Sequence, residues 1–220
     1  MERILEPEVM DTEAEALEYD AMDFLSINTV FAQQALALGP MVGNILDAGT
    51  GTARIPILIA QLRPEWQIVA IDLAQSMLAI AERNVIAAGL EKQIRLEFVD
   101  AKHLPYADHC FDGVISNSLL HHLPRPQIFL QEVKRVLKPQ GFLLLRDLLR
   151  PDTPEQLDQI VNQIGPDYSD RQTQLFRDSL QAALTLPEIE NLAQTLALSD
   201  LKIYQSSDRH WTIERHYIHR

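Results

Sequence analysis

Asn44-Ile45-Leu46-Asp47-Ala48-Gly49-Thr50-Gly51-Thr52-Ala53-Arg54 is the stretch on which the reading of this chain turns. Ile45 and Leu46 form the apolar run of a short buried strand, and Asp47 closes it. Gly49 and Gly51 then allow backbone angles that a Cβ would penalise, and they let a ligand approach the main chain. From Ile55 the pattern turns apolar and helical (Ile55, Ile57, Leu58, Ile59, Leu62), with Pro56 tolerated in the first turn. The stretch therefore reads strand, glycine turn, helix.

Two ligand classes use such a turn. A dinucleotide site wants G-x-G-x-x-G, because the pyrophosphate sits on the free amides of the helix N-terminus. Here the third glycine would fall on Arg54, whose long side chain suits close helix–strand packing poorly. The other pattern is acidic-x-G-x-G-x-G, which Asp47, Gly49 and Gly51 match, with Ala53 in place of the last glycine. In that form the stretch resembles the first motif of class I S-adenosylmethionine-dependent methyltransferases.

The segments downstream extend this resemblance. Gln67 to Asp72 is a nearly all-apolar run, as a strand buried on both faces should be. It ends in Asp72, a carboxylate able to accept both hydroxyls of a ribose. Asp72-Leu73-Ala74-Gln75-Ser76-Met77-Leu78 resembles the family's D-x-S-x-x-M-L with one extra residue, which implies Met77 against the ribose or adenine; core packing is the alternative. A helix follows to about Ala88, with Gly89 as its C-cap. Ile94 to Val99 is the third strand and closes on Asp100-Ala101, where a carboxylate and an amide can meet an adenine edge. Asp100-Ala101-Lys102-His103-Leu104-Pro105-Tyr106 resembles the family's D-A-x-x-L-P-[FY] segment. Phe111 to Ser116 is the fourth strand, with Asn117-Ser118 at its end and Leu119-Leu120-His121-His122-Leu123 after it. Leu137-Lys138-Pro139-Gln140-Gly141 resembles L-K-P-G-G, a turn between a helix and a fifth strand at Phe142 to Leu145.

Strands and helices alternate from 44 to 149, which predicts an α/β fold with a doubly wound, mostly parallel sheet. The resemblance implies seven strands in a Rossmann-like order 3-2-1-4-5-7-6, with helical N-terminal and cap segments. One methyltransferase domain over 1–220 is expected: an N-terminal helical cap at 1–40, a cofactor-binding core at 44–149, a helical cap insertion at 150–186, and a last helix with an antiparallel strand pair at 187–220. Ala14 to Ala37 reads as mostly helical, stopped by Gly39-Pro40. Tyr19, in this segment, either lines the cofactor pocket or packs the segment on the core. The expected cofactor set is Tyr19, Asp47, Ala48, Gly49, Thr50, Gly51, Asp72, Leu73, Met77, Asp100, Ala101, Ser116 and Asn117, holding S-adenosyl-L-methionine.

Composition bounds the remaining classes. The chain has 220 residues, 46% hydrophobic and 23% charged, as in globular proteins. No apolar run approaches the ~20 residues of a membrane span, no signal-peptide pattern opens the chain, and the single Cys110 permits no internal disulfide. A cytoplasmic location and no membrane partner are expected. The net charge of −12 argues against nucleic acid. The acidic front (Glu2, Glu6, Glu8, Asp11, Glu13, Glu15, Glu18, Asp20, Asp23) reads as a solvated helix face. The expected partner is a small-molecule substrate, and an exposed helical cap of this kind often mediates a homodimer.

Methyl transfer from a sulfonium is an in-line displacement and requires no metal. None of the seven histidines stands in a metal spacing such as H-E-x-x-H. His121 and His122 follow the fourth strand, close to where the methyl should lie; each is a candidate base or a merely hydrogen-bonded histidine. Arg146 either binds an acidic substrate group or pairs with its neighbour Asp147. Arg150 and Asp208-Arg209-His210-Trp211 are further pocket candidates, with Trp211 alternatively a core residue. A module that binds the cofactor without catalysis, a methyltransferase acting on a macromolecule, and a nicotinamide-dependent oxidoreductase are the competing readings. Arg54 and Asp100 speak against the last.

Overall fold

The computed structural model describes residues 1–6, 12–22, 24–163 and 168–218. Glu8, Asp11, Asp23 and His219 lie outside the described residues. Two helices, α1 (Glu13–Ala21) and α2 (Leu25–Leu38), precede the sheet. Then strands and helices alternate: β1 (Gly43–Ala48), α3 (Arg54–Leu62), β2 (Trp66–Asp72), α4 (Gln75–Ala88), β3 (Ile94–Phe98), β4 (Phe111–Asn117), a 3₁₀ turn (Leu120–His122), α5 (Pro126–Val136) and β5 (Leu137–Leu148). Two helices, α6 (Pro154–Asn162) and α7 (Asp170–Ala182), lie between β5 and α8 (Leu186–Thr195). The antiparallel pair β6 (Lys202–Ser207) and β7 (His210–Arg215) closes the described chain.

The seven strands take the order 3-2-1-4-5-7-6 that the family resemblance implies. β1 to β5 are mutually parallel, and β7 runs antiparallel between β5 and β6. Period-2 alternation sends neighbours to opposite faces of the sheet. Ile45 joins Phe31, Trp66, Ile68, Ile115 and Leu144 on one face. Leu46 joins Val114, Phe129, Leu130, Leu143 and Trp211 on the other. α5 shows how helices cover these faces: Pro126 opens it, and Phe129, Leu130, Val133 and Val136 recur at helical spacing and are all buried. Trp211 is fully buried in this core, the second of its two expected roles.

Two boundaries differ from the sequence reading. β5 begins at Leu137, five residues earlier than Phe142, because Lys138–Gly141 is absorbed as an irregularity: Phe111 pairs with Leu137 and Gly113 already with Phe142. The strand also runs on to Leu148, paired with His210 of β7. Among the described residues no helix is long and apolar enough to cross a membrane.

Candidate functional site

Parallel strands deliver their carboxyl ends to one edge, and there the sheet opens into a cleft of about 690 Å³. One wall comes from the loops after β1 to β4: Gly49, Gly51, Asp72, Leu73, Met77, Asp100, Ala101 and Asn117. The opposite wall comes from distant segments: Tyr19, Phe24 and Asn28 near α1 and α2; Leu175, Phe176 and Ser179 on α7; and His210 at the start of β7. His121, His122, Arg146 and Leu148 line the space between the walls. A wider groove of about 890 Å³ runs beside β3, between Gln67, Glu82, Arg95 and Tyr106, and holds none of the strand-end carboxylates.

The glycine turn is fixed by its neighbours. Gly49 and Thr50 both donate backbone N–H bonds to Ile71 O, each at 2.9 Å. Gly51 takes φ +55°, and a Cβ there would stand 3.6 Å from the Tyr19 ring. Ala53, where the family pattern has its last glycine, adopts φ +62°, a left-handed conformation costing an L-residue ~1–2 kcal/mol. Arg54 does not obstruct α3: its guanidinium turns outward to Asp20 Oδ1 at 3.0 Å and Met22 O at 3.1 Å, and also to Asp20 O. This ties the end of α1, and with it Tyr19, over the turn. Tyr19 thus does both things foreseen for it, packing beside Ala16, Ala74 and Met77 while lining the cleft.

Asp72 anchors this wall. Its Oδ2 accepts the Gly51 N–H at 2.7 Å and its Oδ1 the Ala74 N–H at 2.9 Å. The Leu73 N–H is a third backbone donor to this carboxylate, and the acceptor capacity left over faces a cleft that Asp72 lines. Burial pushes its pKa up against these backbone donors. Asp100 differs. Burial works against its charge, but the Lys102 N–H at 2.8 Å, the Lys102 ammonium at 3.2 Å and His103 hold its pKa below the carboxylate range.

Asp47, Ala48, Thr50 and Ser116, expected as ligand contacts, do not line the cleft. Ser116 is fully buried and donates its hydroxyl to Ala48 O at 2.7 Å, binding β4 to β1. Asp47 lies beneath the turn with Oδ2 unpartnered. Burial, opposed by Thr50 and reinforced by the charge of Asp72, pushes its pKa up to about 7.

The pairing expected between Arg146 and Asp147 is not formed, because successive strand residues point to opposite faces. Arg146 turns toward α2. Its Nη2 donates to Gln34 Oε1 at 2.5 Å, its Nε to Thr212 Oγ1 at 3.3 Å, and the guanidinium sits 5.3 Å from the centre of the Phe31 ring. It makes no ion pair among the described residues, and burial lowers its pKa. Asp147 turns the other way and accepts from Leu120 N–H at 2.5 Å, His121 N–H at 3.2 Å, His121 Nδ1 at 2.5 Å and Leu148 N–H at 2.6 Å. Burial alone would lower the His121 imidazole; the charge of Asp147 and the bond to it outweigh that and raise its pKa. Arg150 leaves the cleft for Ala183 O at 2.9 Å and Glu188 at 2.6 Å. Asp208, Arg209 and His210 line the cleft; His210 has its Nδ1 2.8 Å from Ser207 Oγ, and burial brings its pKa down to about 4.

A further residue departs from its sequence reading. Glu6, taken with the acidic front as solvated, has a buried side chain set against the two histidines, with Oε1 2.8 Å from His122 Nδ1 and 3.5 Å from His121 Nε2. Arg3 holds that segment in place by donating to Ala182 O at 2.6 Å and Leu123 O at 3.0 Å. No local pattern could reveal this, since the partners lie over a hundred residues away.

Residues 46–145 match a family model described as a methyltransferase domain. A demethylmenaquinone methyltransferase of Lactobacillus johnsonii is 36% identical over 110 residues, which are 50% of this chain and 45% of that protein. The chain spans about half the length of the curated relatives it matches. Among solved structures, a SAM-dependent methyltransferase from Aquifex aeolicus superposes with a TM-score of 0.67 at 18% identity, covering 94% of this chain and 99% of that one. Phosphoethanolamine N-methyltransferase 2 of Haemonchus contortus, solved with S-adenosyl-L-methionine, gives 0.71 at 16% identity, covering 92% of this chain and 56% of that one. At those identities the two structures establish a shared fold.

Proposed function

We infer, from a chain whose residues 46–145 match a methyltransferase domain model, that the cleft binds S-adenosyl-L-methionine and that the chain transfers its methyl group to a small-molecule acceptor. The observation that carries this reading is Asp72: a carboxylate at the end of β2, locked onto the glycine turn by backbone N–H groups and lining the cleft. The donor set suits an adenosine with a cationic tail. Asp72 would take the ribose hydroxyls, Asp100 and the Ala101 amide the adenine edge, and Leu73 and Met77 its faces. Gly49 and Gly51 line the cleft, and the Asp47 carboxyl beneath the turn, with Oδ2 unpartnered, favours positive charge nearby when ionised.

When bound, S-adenosyl-L-methionine supplies an electrophilic sulfonium methyl. The chain's part is to hold an acceptor in line with it and exclude water. Leu119, Leu148, Leu175 and Phe176 offer an apolar body on that side of the cleft, and Arg146 is a cation there without a carboxylate partner among the described residues. An acceptor with an apolar frame and an anionic or oxygen-bearing group fits these walls. His121 has carboxylates at both ring nitrogens, so it holds the loop after β4 and does not take the acceptor's proton. The acidic net charge argues against a nucleic-acid substrate, and the single cysteine is in keeping with a cytoplasmic enzyme; a homodimer through α6 and α7 remains part of the proposal.

Isothermal calorimetry of the purified chain with S-adenosylhomocysteine, and separately with NAD, tests the reading. Micromolar binding of the first alone is expected. Binding of NAD alone, or of neither, would overturn it.

A further inference from the structure

The strap at the start of the chain brings a carboxylate onto two adjacent histidines, and no local sequence pattern prepares for this. We propose that Glu6, His121 and His122 form a zinc-type metal site opening on the acceptor side of the cleft. Their three ligand atoms lie within 4.8 Å of one another. His121 Nε2 and Glu6 Oε1 are 3.5 Å apart, close to the ~3.3 Å that separates two ligands of a tetrahedral zinc ion at ordinary bond lengths. His122 Nδ1 and Glu6 Oε1 are 2.8 Å apart, and His122 Nδ1 is buried without a satisfied hydrogen bond, a donor atom that an ion entering there would engage.

The surroundings are those of a supported metal ligand set. His121 Nδ1 meets Asp147 Oδ1 at 2.5 Å, which turns Nε2 toward Glu6, the carboxylate–histidine arrangement that orients metal-bound imidazoles. Ser179 Oγ donates to Glu6 Oε2 at 3.1 Å. The His121 and Glu6 side chains are 4% and 8% exposed. Two buried carboxylates face two imidazoles here, with the Arg3 guanidinium bonded to the backbone of the same loop, and with both imidazoles neutral a divalent cation would offset the carboxylate charges. Both histidines also line the cleft. Three protein ligands and one side open to a cleft describe a site that can coordinate an acceptor oxygen or sulfur and lower its pKa. This assignment does not depend on the cofactor, because an ion is measured by itself.

The test is titration of the chelator-treated full chain with zinc sulfate by calorimetry, and with cobalt(II) by visible absorption. One ion per chain at micromolar affinity or tighter is expected, with the intense visible band of four-coordinate cobalt. Glu6→Gln and His122→Gln should each weaken zinc by at least ~100-fold while the melting curve still shows a folded protein, and Asp147→Asn, outside the ligand set, by ~10–100-fold. No saturable heat and no cobalt band in the unmodified chain would overturn the proposal. So would binding that survives both Glu6→Gln and His122→Gln, which would place the ion elsewhere.

Discussion

The two walls of the cleft are built by different means. The wall after β1 to β4 uses short loops at successive strand ends, so that Gly49, Gly51, Asp72 and Asp100 are placed by the sheet itself. Its polar groups are held by backbone: Asp72 by the Gly51 and Ala74 N–H groups, the glycine turn by Ile71 O. The facing wall is assembled from segments far apart in the chain, α1 and α2, α7 and the start of β7, and is held by side chains. Arg3 reaching to Ala182 and Leu123, Arg54 to Asp20, and Arg146 to Gln34 are its fastenings. Loops at parallel strand ends suit a ligand that stays constant, while side chains on distant segments can vary with an acceptor without disturbing the sheet.

The largest expected effect separates the walls by stability. The unfolded chain releases the Asp47 proton at about pH 4, the folded chain only at about 7. Between these values the folded state binds the extra proton, so stability falls as pH rises through this window and the full penalty is present above it. Asp47→Asn should flatten that fall, worth roughly 3–4 kcal/mol at its upper bound, in denaturant midpoints measured from pH 4 to 8. An unchanged profile would mean that the carboxyl beneath the turn is ionised without cost.

Next, Asp72→Ala should weaken S-adenosylhomocysteine by ~10–100-fold, the worth of a charged hydrogen-bond pair. Unchanged calorimetric affinity would take Asp72 out of the site and leave the first wall without its anchor. Arg146→Ala tests the second wall. Cofactor affinity should stay put while turnover of an anionic or oxygen-bearing acceptor falls ~10-fold, as loss of one charge-assisted contact implies. Equal loss of both would make Arg146 a fastening between β5 and α2 and nothing more. The smallest effect belongs to Asp100→Ala. Its carboxylate already pairs with Lys102, so only a ~2–5-fold loss of S-adenosylhomocysteine affinity is expected from what remains for an adenine. No change there would remove the adenine contact.

The first wall could be read ahead of the fold because every residue that makes it sits a fixed number of positions from a strand end. An apolar run, an acid and a glycine turn are local features, and Asp47, Asp72 and Asp100 reveal themselves in this way. Even there, side-chain direction was out of reach: Ser116 looked like a ligand contact and serves Ala48, while Asp47 lies below the cleft surface. The parting of Arg146 and Asp147 follows from strand alternation, and could have been foreseen once β5 was known to run through both. Glu6 could not. A glutamate in an acidic stretch carries no sign of a buried partner, and only folding brings it to His121 and His122.

By itself, then, the sequence determined the α/β alternation, the strand-end carboxylates and the glycine turn, because these depend on periodicity and on residues adjacent along the chain. Tertiary structure alone decided which polar groups face the cleft, what closes it, and that Glu6 meets the two histidines. Those are contacts across more than a hundred residues, and nothing local in a chain specifies which distant segment will cover a given edge.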